Sequence, residues 1–547
     1  MLSVTEESYM FIVQRKTPGK DRWCVILCRS ERQGKKVHQK RIKYFGMAHG
    51  KDELEALVKK AKLELKTLQN TPTLQKKISS TTDPCNGTLL GDVVEMSRVT
   101  EGFHTVMGPC FDKLGLSSLL TKTRYQQLRD VVMARIAQPA SKLHTSKILQ
   151  STFNKELSVD QIYHLMDTLV DLEDPIKLKV FKTTQKRLKD QPVDLLLFDV
   201  TTLYFESQES DELREIGYSK DHKIGEVQVV LALATTSNGS PIGYHLFPGN
   251  TAEVSTLLEC IKKWREDFKI TNTIVVADRA MLSEKNLTLM ESEGLTYIVA
   301  AKLRALPNQL KQKILSQNQQ VCKKESQEHI CIQEHDHQGR RLVVSYSHSR
   351  ASKDIKDREK LIQRLRSKLN ISENPQTLIT NRGYLKFVDE KTQGKIGLNE
   401  EKITSDKQWD GLHGVITNDK TSKAIDLLHR YRNLWVIEES FRINKHTLAM
   451  RPIYHFSPKR IRAHVLICYL AFTVTRYVHQ DVNIFEQRIS IENLREALAS
   501  VEVSILKNES EGTVFTLPAP LTKEANMIYR ALGLTQSLRP VSRSFNA

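Results

Sequence analysis

The sequence predicts an α/β protein of several domains, built on a mixed sheet that a long insertion interrupts. Three observations carry this reading. Between 192 and 300 the runs VDLLLFDV, TTLYFES, QVVLALATT, PIGYHLF, TIVVAD and LTYIVAA succeed one another closely and read as strands, those ending at Asp199 and Asp278 as apolar, β-branched buried ones. From 302 to 414 the pattern changes to basic helical runs such as KDREKLIQRLRSKL, mixed with the strand-like RRLVVSYS and WDGLHGVIT. Helical periodicity then resumes in YRNLWVIEESFRINK, Tyr431–Lys445, a helix that must return to the first sheet.

Residues 1–70 hold three strand-like runs separated by basic turns, then a helical run near Asp52–Leu68, which reads as a small antiparallel β unit plus helix. Its Lys and Arg side chains either touch phosphates or simply solvate polar edges. Residues 71–90 are rich in Thr, Ser, Asn and Pro and read as a linker. From 91 to 190 the pattern is helical. YQQLRDVVMARIAQP, SKLHTSKILQ and SVDQIYHLMDTLVDL form short amphipathic helices broken at Pro139 and near Asn154. They suit either a helix-turn-helix-like DNA reader or a plain bundle. Residues 191–301 carry the first part of the sheet, three successive strands before a helix at Glu253–Asp267. Residues 302–414 are the insertion, 415–480 complete the core, and 481–547 read as a C-terminal helical region.

Length and charge narrow the function. The 547 residues suffice for three or four domains. Lys and Arg number 82 against 64 Asp and Glu, a formal net charge of +18, which fits a polyanionic partner, nucleic acid first. No segment reads as a membrane span; the strongest candidate, His464–Val474, contains a histidine between Arg462 and Arg476 and reads as a buried helix. The acidic start MLSVTEES is wrong for a secretory signal. Eight cysteines without framework spacing suit free thiols in a reducing compartment.

One constellation stands out chemically. Tyr431, Glu438 and Lys445 recur every seven residues, so a continuous helix would place all three on one face. Glu439, the rival acid, would point about 100° away. Asp199 and Asp278 each stand at the end of an apolar run that reads as a strand. Three carboxylates of this kind can hold two divalent metal ions. Trp435 and Phe441 read as core packing, with base stacking as the alternative.

These residues lie in a larger set of blocks. They include ARIAQPASKL at Ala134–Leu143, FDVTTLYFES at Phe198–Ser207, GYSKDHK at Gly217–Lys223 and QVVLALATTSNGSPIGYHLFPGNTAE at Gln228–Glu253. VADRAMLSEKN at Val276–Asn286, the Tyr431–Lys445 segment and RPIYHFSPKRIRAHVLICYLAF at Arg451–Phe472 complete them. In their order and spacing the blocks resemble an insertion-sequence DDE transposase with an RNase H-like core, from the group carrying the Tyr-Arg-Glu-Lys signature. The resemblance spans Leu128 to Leu470.

It implies that Asp199, Asp278 and Glu438 are the catalytic metal ligands for two Mg²⁺ ions, with Mn²⁺ as a substitute. It further implies cleavage and strand transfer at terminal inverted repeats, with water and then a DNA 3′-hydroxyl as nucleophile. The partners would be double-stranded element ends and target DNA, bound by a homodimer or larger synaptic complex, with no membrane. The setting would be a prokaryotic cytoplasm, at the nucleoid. Tyr431, Arg432, Arg442, Lys445, Lys220 and Lys223 are the expected DNA contacts. The group's arginine falls at Leu434 here, so Arg432 or Arg442 must substitute, and Ala280 replaces a glycine found in many relatives. A nuclease without strand transfer and an inactive DNA-binding derivative are the alternative readings.

Weaker candidates remain. Cys322, Cys331, His335 and His337 invite a zinc reading, but eight residues separate the cysteines, which fits no common site; a polar hairpin is the simpler account. Lys220, His222 and Lys223 grip phosphate or form a basic loop. The Lys459–Arg462 run tracks a DNA backbone or caps its helix.

Overall fold

The computed structural model describes residues 10–16, 22–33, 36–49, 53–55, 57–59, 61–62, 65, 92–189, 195–205, 209–217, 226–251, 259–264, 266, 274–277, 283–321, 331–371, 387–391, 395–485 and 489–542. The chain divides into two compact units, Met1–Asp83 and Pro84–Ala547.

In the first unit β1 (Met10–Lys16), β2 (Arg22–Gln33) and β3 (Lys36–His49) form an antiparallel sheet in that order. Val25, Ile26, Leu27 and Cys28 of the central strand are buried with Ala48 and Ala61. Residues 53–55, 57–59, 61–62 and 65 are helical.

The second unit begins with β4 (Val93–Thr100) and, after two short helical segments at Gly102–Val106 and Gly108–Asp112, four longer helices: α1 (Lys122–Ala137), α2 (Lys142–Phe153), α3 (Val159–Asp171) and α4 (Glu173–Arg187). Their boundaries reflect local chemistry. Thr121, Ser141 and Ser158 accept hydrogen bonds from the amides of Arg124, His144 and Gln161, capping the starts of α1, α2 and α3. Asn154 closes α2 in the left-handed conformation, φ 51°, which asparagine tolerates.

Nine strands then build one mixed sheet. They are β5 (Leu195–Tyr204), β6 (Glu215–Ile216), β7 (Val227–Thr235), β8 (Pro241–Pro248), β9 (Ile274–Ala277), β10 (Thr296–Ala300), β11 (Cys331–His337), β12 (Arg340–Tyr346) and β15 (Leu412–Thr417). The order is β11-β12-β15-β10-β9-β5-β7-β6, with β8 also paired to β7. β5 runs antiparallel to β7 and parallel to β9, which is parallel to β10. β11, β12 and β15, all from the 302–414 stretch or its edge, extend this same sheet: β15 pairs antiparallel with β10, β12 antiparallel with β15, and β11 antiparallel with β12. Between them, β13 (Val388–Lys391) pairs with β14 (Lys395–Leu398).

Strand alternation gives the sheet two faces. Leu196, Phe198 and Val200 face one core with Trp264 and Met290, while Leu197 and Leu203 face the other. That second core is organised by α11 (Pro458–Phe485) with α9 (Ala424–Arg432) and α10 (Trp435–Arg442), whereas α5 (Glu284–Ser292) and α6 (Asn308–Val321) pack into the first core and α7 (His348–Ile371) and α8 (Glu400–Lys407) into a small separate one. Val465 to Val474 of α11 are buried on every side, which explains its apolar composition. Among the described residues, one helical stretch, Pro458–Asn483, is long and apolar enough to cross a membrane, but 94 % of its most apolar window lies inside the protein, as the buried-helix reading expects. Helices α1 and α3 pack directly against α11, so the 91–190 helices share its core.

The C-terminal stretch departs from the helical expectation. Besides α12 (Ile491–Ala499) and α13 (Lys523–Ala531) it holds β16 (Glu502–Asn508), β17 (Val514–Pro518) and β18 (Val541–Ser542). These strands pair with β4 in the order β18-β17-β16-β4. Pairing of Val503 with Val99 joins segments roughly 400 residues apart in the chain, a link no local periodicity reveals.

Candidate active site

Asp199 lies within β5, not at its end. The β-branched run continues through Thr201 and Thr202 to Tyr204, and β7 pairs with it from Leu197 to Tyr204, Asp199 opposite Leu233. The strand is therefore longer than its most apolar part. Asp199 alternates with Phe198 and Val200, so it belongs to the sheet face shared by Leu197 and Leu203. It is half-buried, and its carboxylate accepts the Val200 amide at 2.7 Å. On the neighbouring parallel strand, Val276 pairs with Leu197, and β9 ends at Ala277. Asp278, the next residue, lies outside the described residues, as do Lys220, His222 and Lys223.

The segment from Tyr431 to Lys445 is not one helix. α9 closes at Arg432, and the turn through Asn433 and Leu434 is tightened by i→i−3 bonds from Leu434 to Tyr431 and from Val436 to Asn433, at 3.0 and 2.9 Å. α10 then runs to Arg442 and widens into a π turn over Ile443–Thr447, where the Leu448 amide reaches the Ile443 carbonyl at 2.8 Å. Neither a proline nor a glycine marks either break, and each change of pitch rotates the residues beyond it about the axis. The seven-residue stripe is lost for Lys445, which is half-buried in the π turn.

α10 has a clear division of faces. Val436, Ile437, Ser440 and Phe441 are buried, and the helix packs over β5 and β7. Gly239, φ +80° at the β7–β8 turn, lies against it; a Cβ there would come within 2.9 Å of Val436. Phe441 fits the core expectation. Trp435 does not: its side chain is 58 % exposed, because i, i+3 spacing puts it beside Glu438 on the outer face.

Tyr431, Arg432, Trp435 and exposed Glu438 line one open cleft of about 570 Å³, together with Ser345, Ser347, His348, Arg350 and His413. The His413 ring stands 5.1 Å from that of Tyr431. His413 and His348 are the residues that motif reading misses. The available signal is the strand LHGVIT, in which His413 alternates with Leu412 onto the Val415 face. Arg442 and Lys445 are not among the cleft's described lining residues.

Glu438 and Glu439 have different surroundings. The Glu439 carboxylate accepts a 2.9 Å hydrogen bond from the nearly buried Arg476 of α11, and Arg442 lies 3.8 Å away. Glu438 makes no ion pair among the described residues. Glu438 and Asp199 each offer hard carboxylate oxygens, the donor type divalent cations take, but Asp199 is not among the described lining residues of the Glu438 cleft. Among the described residues no three His, Cys, Asp or Glu cluster closely enough to hold a metal ion.

The zinc alternative gains nothing. Cys322 lies outside the described residues, and Cys331, His335 and His337 lie on β11 of a hairpin. His335 is buried and bonded to Gln333 at 3.2 Å.

Comparison with protein families gives a match to the transposase DDE domain over residues 191–474. The match encloses β5, the 302–414 interval, α10 and most of α11. Comparison with curated proteins gives no match. Domains of this family generally use divalent metals and act on DNA. The chain belongs to the transposase DDE domain family.

Proposed function

We propose that the chain is a cut-and-paste transposase of the Tyr-Arg-Glu-Lys group, cleaving and joining DNA at the terminal inverted repeats of its own element. The position of Glu438 carries this reading: an exposed acid in an open cleft, on a helix packed over the strand that bears Asp199. The proposal includes an RNase H-like core. Its support is the strand order β8-β7-β5-β9-β10, antiparallel through the first three and parallel through the last three.

Asp199, Asp278 and Glu438 would hold two Mg²⁺ ions. Bound there, the ions supply activation of the attacking oxygen and stabilisation of the leaving 3′ oxygen. The chain's own residues position the DNA. Arg432 at the cleft rim supplies a forked donor for phosphate, which favours it over Arg442, beside Glu439. Tyr431, steadied by His413, offers a hydroxyl, and the exposed Trp435 offers a stacking face. Lys445, Lys220 and Lys223 belong to the proposal as further phosphate contacts, the 91–190 helices as the end-recognition element, and a dimeric synaptic complex as the working state.

Incubation with duplexes carrying the sequences that flank the gene tests this. Nicked and then joined products that require Mg²⁺ are expected. Nicks without joining would leave only a nuclease, and absence of any metal-dependent product would contradict the proposal.

A further inference from the structure

Helix α7 carries an unusual surface. At about 100° per residue, Lys353, Lys356, Lys360 and Arg364 fall within an arc of about 80°. All four are exposed. None makes an ion pair among the described residues, although Asp354, Asp357 and Glu359 share the helix; Asp357 borders the stripe. The opposite side is anchored. Leu365 is buried in a small core with Phe387, Val388 and Ile403. Arg358 is buried and gives 2.5 Å hydrogen bonds to both carboxylate oxygens of Asp410. The Asp354 carboxylate accepts the Gly411 amide at 3.0 Å. The stripe is therefore held on a fixed helix and turned to solvent.

Its direction is also fixed. His348, Ser349 and Arg350, the first residues of α7, line the Glu438 cleft. From that rim the helix extends 24 residues, about 36 Å, and the four cations span about 16 Å of it. Four exposed cations in register along a rigid helix suit a partner with closely and regularly spaced negative charge. Duplex DNA carries one charge per roughly 1.7 Å of axis.

We propose that α7 is a phosphate track for the duplex that lies in the Glu438 cleft, gripping its backbone beyond the reacting bond without reading sequence. This rests on the DNA-cleaving reading of the cleft. It adds a contact surface within 302–414.

The test uses the full chain and a labelled duplex of arbitrary sequence, about 30 base pairs or three turns long, without metal. Binding is measured from about 50 to about 200 mM salt. A variant with Lys353→Gln, Lys356→Gln, Lys360→Gln and Arg364→Gln should lower the steepness of log affinity against log salt by about 3–4, because each phosphate contact contributes about 0.9. A companion with the three lysines changed to Arg should keep the wild-type slope, which separates lost charge from damaged folding. An unchanged slope in the Gln variant, at wild-type affinity, overturns the proposal. So does equal loss in the Arg companion. Metal-dependent cleavage by wild-type protein is assayed separately. Its absence would count against the transposase reading while leaving the slope to decide the track.

Discussion

Two clefts of nearly equal size lie side by side and share Arg350 and His413. In the first, of about 520 Å³, the charges answer one another. Arg358 bonds Asp410 and Asp406, Arg304 pairs with Asp406, and Arg350 lies 4.0 Å from Asp354. The hydrogen bond to Asp410 raises the Arg358 guanidinium above its ordinary range, with Asp406 adding to it. In the second cleft, Glu438 faces solvent with an indole and an arginine near it and no ion pair among the described residues. Both clefts are rich in ionisable groups. The difference is that the first uses its charge to hold α7 to α8 and β15, whereas the second keeps a carboxylate available for a ligand. Net charge is thus a poor guide to a site; unneutralised charge in a concave surface is a better one.

The largest effect expected from this contrast is at Glu438. Glu438→Gln is isosteric and exposed, so stability should stay within about 0.5 kcal/mol, while cleavage falls to background; Asp199→Asn and Asp278→Asn should also lose cleavage. Retained cleavage in any one of them would remove that residue from the metal site.

Next in size is the paired cleft. Arg358→Ala takes the arginine from Asp410 and leaves Asp406 with Arg304 alone, and breaking a buried pair costs about 3–5 kcal/mol. A urea midpoint should drop accordingly. A drop in cleavage at full folding, with no loss of stability, would mean that the first cleft handles substrate after all.

Lys445 should matter less. Lys445→Ala is expected to slow joining by the equivalent of about 1–3 kcal/mol, the worth of a hydrogen bond to a charged group. Its place in the π turn, away from the cleft's described lining, makes unchanged joining the sharpest counter-result.

A third polar cluster shows what happens when charge can be neither paired nor exposed. Lys142 is buried, its ammonium nitrogen 3.1 Å from His464 Nδ1, with Arg135, His455 and Cys468 around it. Burial, with Arg135 adding to it, lowers Lys142 to about 7 from an ordinary 10.5. Between these values the unfolded chain binds more protons than the folded one, so stability rises as pH increases from about 7 to about 10. A thermal midpoint that climbs across this window in wild type and flattens in Lys142→Met is expected. A flat wild-type profile would show that Lys142 stays charged when folded.

Much of this was legible in the chain, for identifiable reasons. Strands β5, β7, β9 and β10 announce themselves as apolar runs with β-branched residues, β8 as an apolar run, and α3 by its apolar periodicity. The features that escaped depend on tertiary context. The breaks at Asn433 and at Ile443–Thr447 leave no proline or glycine to read. Trp435 is apolar enough to be assigned to the core, but it shares Glu438's outer face. β4 and β16 fall in stretches read as helical, and each gains its partner from the far end of the chain, with β4 showing no clean alternation. Glu438 and Glu439 are adjacent and chemically identical, and the seven-residue spacing already separates their faces; the Arg476 ion pair on Glu439 is what the sequence does not show.

That last pair offers the most direct test. Mg²⁺-dependent cleavage of a duplex carrying the flanking DNA should be measured for Glu438→Gln and Glu439→Gln at a temperature where both are folded. The account predicts no cleavage by Glu438→Gln. It predicts near wild-type cleavage by Glu439→Gln, with a lowered thermal midpoint from the weakened Arg476 pair. Active Glu438→Gln beside inactive, fully stable Glu439→Gln would contradict the assignment of the cleft as the catalytic site.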